Sequence, residues 1–256
     1  MAKSPKVSIV TITYNAEATL ERTMESVERQ DYGGIEYIVI DGKSKDGTMG
    51  IVERHRGMVS RCVSEPDKGL YDAMNKGLRL STGDYVWFLN AGDELRSEDT
   101  VSRMLEVACG GEGEGEWPDV IYGETVITDM DGNEIGTRRL ETPEKLNADS
   151  FKRGMLVCHQ AFVAKMAICE EYDTQYRLSA DFEWCLSILE RSKRTVNSRM
   201  TLVRFLDGGI TKHNIPTALR ERFKIMCKHY GVLSTVWHHI PIAAKFVWYV
   251  VRKGRF

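Results

Sequence analysis

Gly83-Asp84-Tyr85-Val86-Trp87-Phe88-Leu89-Asn90-Ala91-Gly92-Asp93-Glu94 decides how this chain is read. Tyr85 to Leu89 is an unbroken aromatic and aliphatic run, entered through Thr82-Gly83-Asp84 and left through Asn90-Ala91-Gly92-Asp93. A short apolar run between turn residues predicts a strand buried on both faces, as in the middle of a parallel sheet. Open α/β sheets bind ligands outside the carboxyl ends of such strands. Asp93 therefore falls at the mouth of a cleft, unless it is only a polar turn after a core strand.

Working outward, the β-branched stretch Val7 to Thr13 predicts a first strand, and Asn15 an N-cap for a helix over about 16–29. Leu20, Met24 and Val27 put the apolar stripe of that helix on one face. Ile35 to Ile40 predicts a second strand, Val59 to Ser64 a third, and Leu70 to Leu80 a helix with Leu70, Ala73, Met74 and Leu78 inward. Strands alternating with helices imply a mainly parallel, Rossmann-like central sheet flanked by helices, with right-handed crossovers. Past Asp93 the alternation weakens. A helix to about Ala108 leads to the low-complexity stretch Cys109 to Glu116, a solvated loop. A hairpin over 120–128 and 134–139 turns at Asp129-Met130-Asp131-Gly132-Asn133. A helix near 181–191, a strand through 201–205 and a helix around 217–230 follow. With no repeat and no linker, residues 1–230 read as one domain, with a nucleotide-side half over 1–95 and an acceptor-side half over 96–230.

The totals bound the partners. The 256 residues can bury a substantial core. A net charge of −2 gives no global drive toward nucleic acid. The six cysteines are scattered without CxxC pairs or ligand-like spacing to histidine, which suits a reducing cytoplasm and argues against zinc or a disulfide framework. Met1 to Lys6 leads straight into the first strand, so a cytoplasmic chain without a signal peptide is expected. Residues 231–256 differ. Trp237, Phe246, Trp248 and Tyr249 alternate with Lys245, Arg252, Lys253 and Arg255, and Pro241 breaks the apolar run. This predicts an amphipathic helical tail lying on a membrane surface, at the inner face of the cytoplasmic membrane. The alternative is a helix packed on the domain or on a second subunit of a homo-oligomer.

Four loops gather at one edge of such a sheet: Tyr14-Asn15, Asp41 to Thr48, Glu65 to Gly69 and Asn90 to Glu94. Three carry aspartate, unfavourable at close range unless a cation or donors compensate. Neither GxGxxG nor GxxxxGK[ST] occurs, so the phosphates of a nucleotide would be met by a divalent metal on carboxylate.

Val7 to Asn15, then Ile38-Val39-Ile40-Asp41-Gly42-Lys43-Ser44-Lys45-Asp46-Gly47-Thr48, resembles the opening of the family-2 inverting glycosyltransferases. Ser64-Glu65-Pro66-Asp67-Lys68-Gly69-Leu70-Tyr71-Asp72-Ala73-Met74-Asn75-Lys76-Gly77 and Leu89-Asn90-Ala91-Gly92-Asp93 continue the resemblance, which is to bacterial members that build exopolysaccharide, capsule and O-antigen. His159-Gln160, Ala180 to Trp184 and Gly208-Gly209-Ile210-Thr211 extend it more loosely. The resemblance implies a GT-A fold, a nucleotide-sugar donor that is UDP-linked, and a divalent Mn2+ or Mg2+. It implies that Asp41 faces the base, that Thr13, Tyr14 and Asn15 line the same pocket, and that Asp67 and Lys68 sit near base and ribose. Asp93 would hold the metal beside Asn90, and Asp181 would be the general base. Where the family pattern often carries acids, this chain has Gly42, Asn90 and Gly92.

His159 reads either as a hydrogen-bonded structural histidine or as a contact to acceptor or diphosphate. The expected activity is metal-dependent, inverting, hexosyltransferase-type transfer to a hydroxyl of a lipid- or saccharide-linked acceptor. A sugar nucleotidyltransferase would open on a glycine-rich loop, where this chain has Thr11 to Asn15. A catalytically silent sugar-nucleotide binder is the rival suggested by Asn90 and Gly92.

Overall fold

All seven residues of Val7–Thr13 (β1) are buried, so this strand is covered on both faces. The structure, a computed structural model, describes residues 4–110, 116–208 and 214–240. Ile35–Asp41 (β2), Val59–Ser64 (β3) and Tyr85–Phe88 (β4) pair with β1 in the parallel order β3-β2-β1-β4. Leu20–Glu28 (α1), Thr48–Arg54 (α2) and Leu70–Leu80 (α3) make the crossovers. Gly77 lets α3 lie directly on the sheet: a Cβ there would overlap Val10 Cγ1. The side chains of Tyr85, Val86, Trp87 and Phe88 are each at most 1% exposed. Burying side chains of this size stabilises by about 1.5–3 kcal/mol each, which makes β4 the spine of the core.

The second half continues the same sheet with mixed directions. Its elements are Glu94–Leu95 (β5), Thr100–Cys109 (α4), Val120–Thr128 (β6), Glu134–Thr137 (β7), Phe162–Lys165 (β8), Ala180–Arg191 (α5), Thr195–Leu206 (β9) and Ile215–Tyr230 (α6). From β4 the order runs β4-β8-β6-β9-β5, with β7 on β6. β8 is antiparallel to β4 and to β6, β9 is parallel to β6, and β5 is antiparallel to β9. This is the α/β architecture the sequence implies, all-parallel over the first four strands and mixed beyond them, where only β6 and β9 run parallel.

Several local expectations are corrected. Asn15 does not cap α1, which starts at Leu20; Asn15 has φ +48° and its Oδ1 accepts the Lys45 N–H at 2.9 Å. Its short amide binds across to a neighbouring loop instead of along its own chain. The strand expected over 201–205 begins at Thr195. Arg199, at φ +54°, breaks its pattern where the β6–β9 register shifts. Gly123 accommodates that kink, since a Cβ there would lie 2.5 Å from the Met200 carbonyl. β7 ends at Thr137, short of 139.

At the amino edge of the sheet, Glu36 is buried yet fully bonded. Lys6 Nζ (2.8 Å) and Thr82 Oγ1 (2.6 Å) donate to one oxygen, Ser8 Oγ (2.6 Å) and the Thr82 N–H (2.7 Å) to the other. Burial pushes this carboxyl up, and the four donors overcome that and hold it down at about 2. Residues 232–240 are helical, and 241–256, which carry much of the aromatic and basic tail, lie outside the described residues, as do 111–115 and 209–213. Among the described residues no helix is long and apolar enough to cross a membrane.

Candidate active site

The carboxyl edge of the sheet is knit by side chains from successive loops. Asn15 N–H donates to Ser44 Oγ at 2.8 Å, Ala16 N–H to Thr48 Oγ1 at 2.8 Å, and Glu17 N–H to Asp46 Oδ2 at 3.1 Å. Asp41 ends β2, opposite Thr13 of β1 and Ser64 of β3 in register. It is fully buried, and accepts from the Ser44 hydroxyl, from the Ser44 N–H at 3.1–3.2 Å and from Ser64 Oγ at 2.5 Å. The next residue must be small: a Cβ on Gly42 would lie 2.7 Å from Asp67 Oδ2 and 3.2 Å from Tyr14 Cδ2. Thr13, Tyr14, Asp41 and Asp67 are thereby brought together, with Tyr14 61% exposed.

Asp67 is fixed by Lys76 from α3, whose Nζ lies 2.6 Å from Asp67 Oδ1, 3.0 Å from Glu65 and 3.0 Å from the Pro66 carbonyl. Lys68 is exposed and ties only its N–H to Asp72, at 3.0 Å.

Asn90 and Asp93 lie on the turn after β4, which stays pinned to β1 through Ala91 N–H to the Ile12 carbonyl at 3.2 Å. Gly92, at φ +103°, is packed so closely that a Cβ would be 2.6 Å from Leu206 Cδ2. Asp93 is 3% exposed, and its Oδ1 accepts the Leu206 N–H at 3.0 Å. Burial pushes its carboxyl up to about 8, against hydrogen bonds from the Leu206 and Asn90 backbone and with Glu94 adding to the rise. Asn90 Oδ1 and Thr13 Oγ1 are buried without a partner. A buried carboxyl on the same turn as an orphaned amide oxygen suits an oxygen-seeking divalent cation, which would complete both. No group of three or more His, Cys, Asp or Glu among the described residues could hold a metal by itself, so a bound ion would draw further oxygens from a ligand.

Asp181 stands in the first turn of α5, half-buried. Its Oδ1 accepts from Tyr71 Oη at 3.1 Å and from the Phe182 N–H at 2.8 Å. Since α3 departs from the carboxyl edge, Tyr71 in its first turn places Asp181 at that edge too. His159 is 4% exposed in a box formed by Phe88, Tyr172 and Trp184, and its Nε2 meets Tyr172 Oη at 2.8 Å. Burial pushes it down to about 4, with Asp181 pulling the other way. Ser44, Ser64, Lys76, Tyr71 and Leu206 were not singled out by sequence reasoning. Lys76 and Tyr71 stand in a quoted motif, but nothing in it says which way they reach; Leu206 carried no signal at all.

The profile of Glycosyl transferase family 2 matches residues 8–172, from β1 to Tyr172 of the aromatic box. An uncharacterized glycosyltransferase of Mycobacterium tuberculosis is 34% identical over 227 residues, covering 86% of this chain and 82% of its own. Among solved structures, S. aureus TarS 1–349 in complex with UDP-GlcNAc superposes with a TM-score of 0.67 at 15% identity, over 92% of this chain and 73% of that one. The chain covers 40% of a longer TarS structure. A mannosyltransferase from Pyrobaculum calidifontis, in complex with GDP-Man and Mn2+, gives 0.64 at 16% identity, over 99% and 77%. At such identities these structures establish a shared GT-A fold. The profile match and the mycobacterial relative go further: this chain belongs to glycosyl transferase family 2.

Proposed function

We propose that this glycosyltransferase is an inverting enzyme that moves a sugar from a UDP-linked donor to a hydroxyl of a lipid- or saccharide-linked acceptor in cell-surface polysaccharide assembly. The observation that carries the reading is the pair of carboxylates at one sheet edge: Asp93, buried on the turn that also carries the orphaned Asn90 amide oxygen, and Asp181, half-buried and anchored through one oxygen. Thr13, Tyr14, Asn15, Asp41, Asp67 and Lys68 receive the nucleoside, with Asp41 facing the base and Ser44 and Ser64 fixing its plane. Asp181 takes the proton of the acceptor hydroxyl while that oxygen forms its bond to the anomeric carbon. The electron pair of the broken sugar–phosphate bond leaves with the diphosphate. A divalent metal held by Asp93 and Asn90 Oδ1 would supply neutralisation of that departing charge. The Mn2+ in the mannosyltransferase and the UDP-GlcNAc in TarS support this reading by likeness of fold. His159 backs the site from its aromatic box, within reach of acceptor or diphosphate only if the box opens.

The same reading puts the protein at a membrane surface on the cytoplasmic side. Ile215, Leu219 and Phe223 recur every four residues along α6 and are exposed, as are Leu233, Trp237 and Ile240 beyond it. Such a stripe, flanked by Arg220 and Lys224 and followed by the basic tail, suits an interfacial helix.

The test is product formation from a panel of UDP-, GDP- and CDP-sugars with manganese, then on the best donor with Asp181→Asn and Asp93→Ala. Asparagine keeps shape but removes the base, so Asp181→Asn should lose ~10²-fold or more. Asp93→Ala should abolish manganese-dependent transfer. Retention of more than about a tenth of turnover by Asp181→Asn refutes the base assignment. UDP binding without transfer to any acceptor would favour a silent binder.

A further inference from the structure

Tyr71 is 5% exposed, and burial, with the Asp181 charge beside it, raises its phenol far above the usual range. It is therefore a donor and not a proton carrier. Its Oη and the Phe182 N–H both donate to the same oxygen of Asp181, Oδ1, at 3.1 and 2.8 Å. Two donors converging on one oxygen fix the plane of a carboxylate that would otherwise turn about χ1 and χ2, and they leave Oδ2 for a third partner.

The Tyr71 ring is itself held. It stacks on Tyr172 at 5.6 Å, and Tyr172 stacks on Trp184 of α5 at 4.9 Å with 14° between the planes. One turn along α3, Asn75 clasps the Tyr172 backbone with both ends of its amide: Nδ2 donates to the carbonyl at 3.0 Å and Oδ1 accepts the N–H at 2.7 Å. Residues 71 and 75 share one helix face, so α3, which starts directly after the Asp67–Lys68 loop, grips the acceptor half at two points.

We propose that Tyr71 is a positioning residue for transfer: it holds Asp181 by Oδ1 so that Oδ2 is presented to the acceptor hydroxyl, with Asn75 and Tyr172 as its platform. The inference rests on the reading of Asp181 as the general base. The groups facing Asp181 are Tyr71 from α3, His159 and Tyr172 from the segment before α5, and Cys185 within α5; Glu221 of α6 faces Tyr71.

Tyr71→Phe keeps the buried ring and its stack and removes a single O–H. Expected is a fall in kcat of roughly ten- to a hundredfold, as for a misplaced catalytic group. KM for the donor and UDP affinity should stay within about twofold, because the hydroxyl faces the base and not the nucleotide. In an Asp181→Asn background the same substitution should cost less than about twofold more, the coupled partner being gone. A donor KM that worsens in step with the fall in kcat, or an equal loss in both backgrounds, means a merely structural tyrosine and overturns the proposal. Asp181→Asn at near wild-type turnover would instead sink the base assignment, a failure read from the single variant and distinct from this one.

Discussion

Two buried carboxylates mark opposite edges of the sheet, and their neighbours give them opposite characters. Glu36 has a donor for every lone-pair position and stays ionised; Asp93 has backbone donors only. The first is structural, and its titration shows how. Its carboxyl lies at about 2 in the folded protein against 4.5 for an unperturbed glutamate. A depressed carboxylate contributes stability that is complete above the unfolded value and is lost as pH falls through the folded one. The window here is therefore from about pH 4.5 down to about 2. Glu36→Gln should lower the melting temperature at pH 7, at a cost of about 1–3 kcal/mol, and should flatten the decline across that window relative to wild type. Parallel curves for the two proteins would count against it. Positions such as Asp41 and Asp93 are legible in the sequence because an apolar run stops just before them. Their partners Ser64 and Leu206 are not, because hydrogen bonds between distant segments have no period to read.

At the scale of elements, α3 does the most joining, and Gly77 is what lets it. Alanine in a helix interior is usually better than glycine by about 1 kcal/mol. Here the sign should reverse, because the added methyl meets Val10 of β1 on a sheet that does not yield. Gly77→Ala should destabilise by about 1–3 kcal/mol in denaturant unfolding, and Val10→Ala should recover part of that loss in the double variant. A Gly77→Ala protein more stable than wild type would show that helix and sheet are not in close contact. Helices such as α3 and strands such as β1 are long enough for their apolar spacing to declare them. β8, of four residues and directly after a 3-10 turn at His159–Ala161, and β5, of two residues, are too short to show alternation. The reversal of direction beside β4 is illegible for that reason: β8 is the strand that makes it, whereas the longer β6–β7 hairpin is readable.

For the whole molecule, the exposed stripe makes a claim about where the enzyme works. Leu233 is 89% and Trp237 72% exposed, and Arg252, Lys253 and Arg255 follow in the sequence. Basic residues near anionic lipid contribute ~1 kcal/mol each, so cosedimentation with vesicles rich in anionic lipid should exceed that with zwitterionic ones and weaken with salt. Leu219→Asp with Trp237→Asp should release the protein from vesicles while UDP still binds. A change of oligomeric state without a change in vesicle binding would assign the stripe to a second copy. The clasp between Asp93 and the Leu206 N–H spans 113 residues, and that distance is also a delay. Translation at about 5–20 residues per second places roughly 6–23 s between the two. Every strand of the parallel half has left the ribosome before β9 arrives to bury Asp93. A nascent chain can thus lay down its first four strands early, yet the enclosure of Asp93 is completed among the last events of synthesis, so a message cut short yields no half-built transferase with that carboxyl closed in.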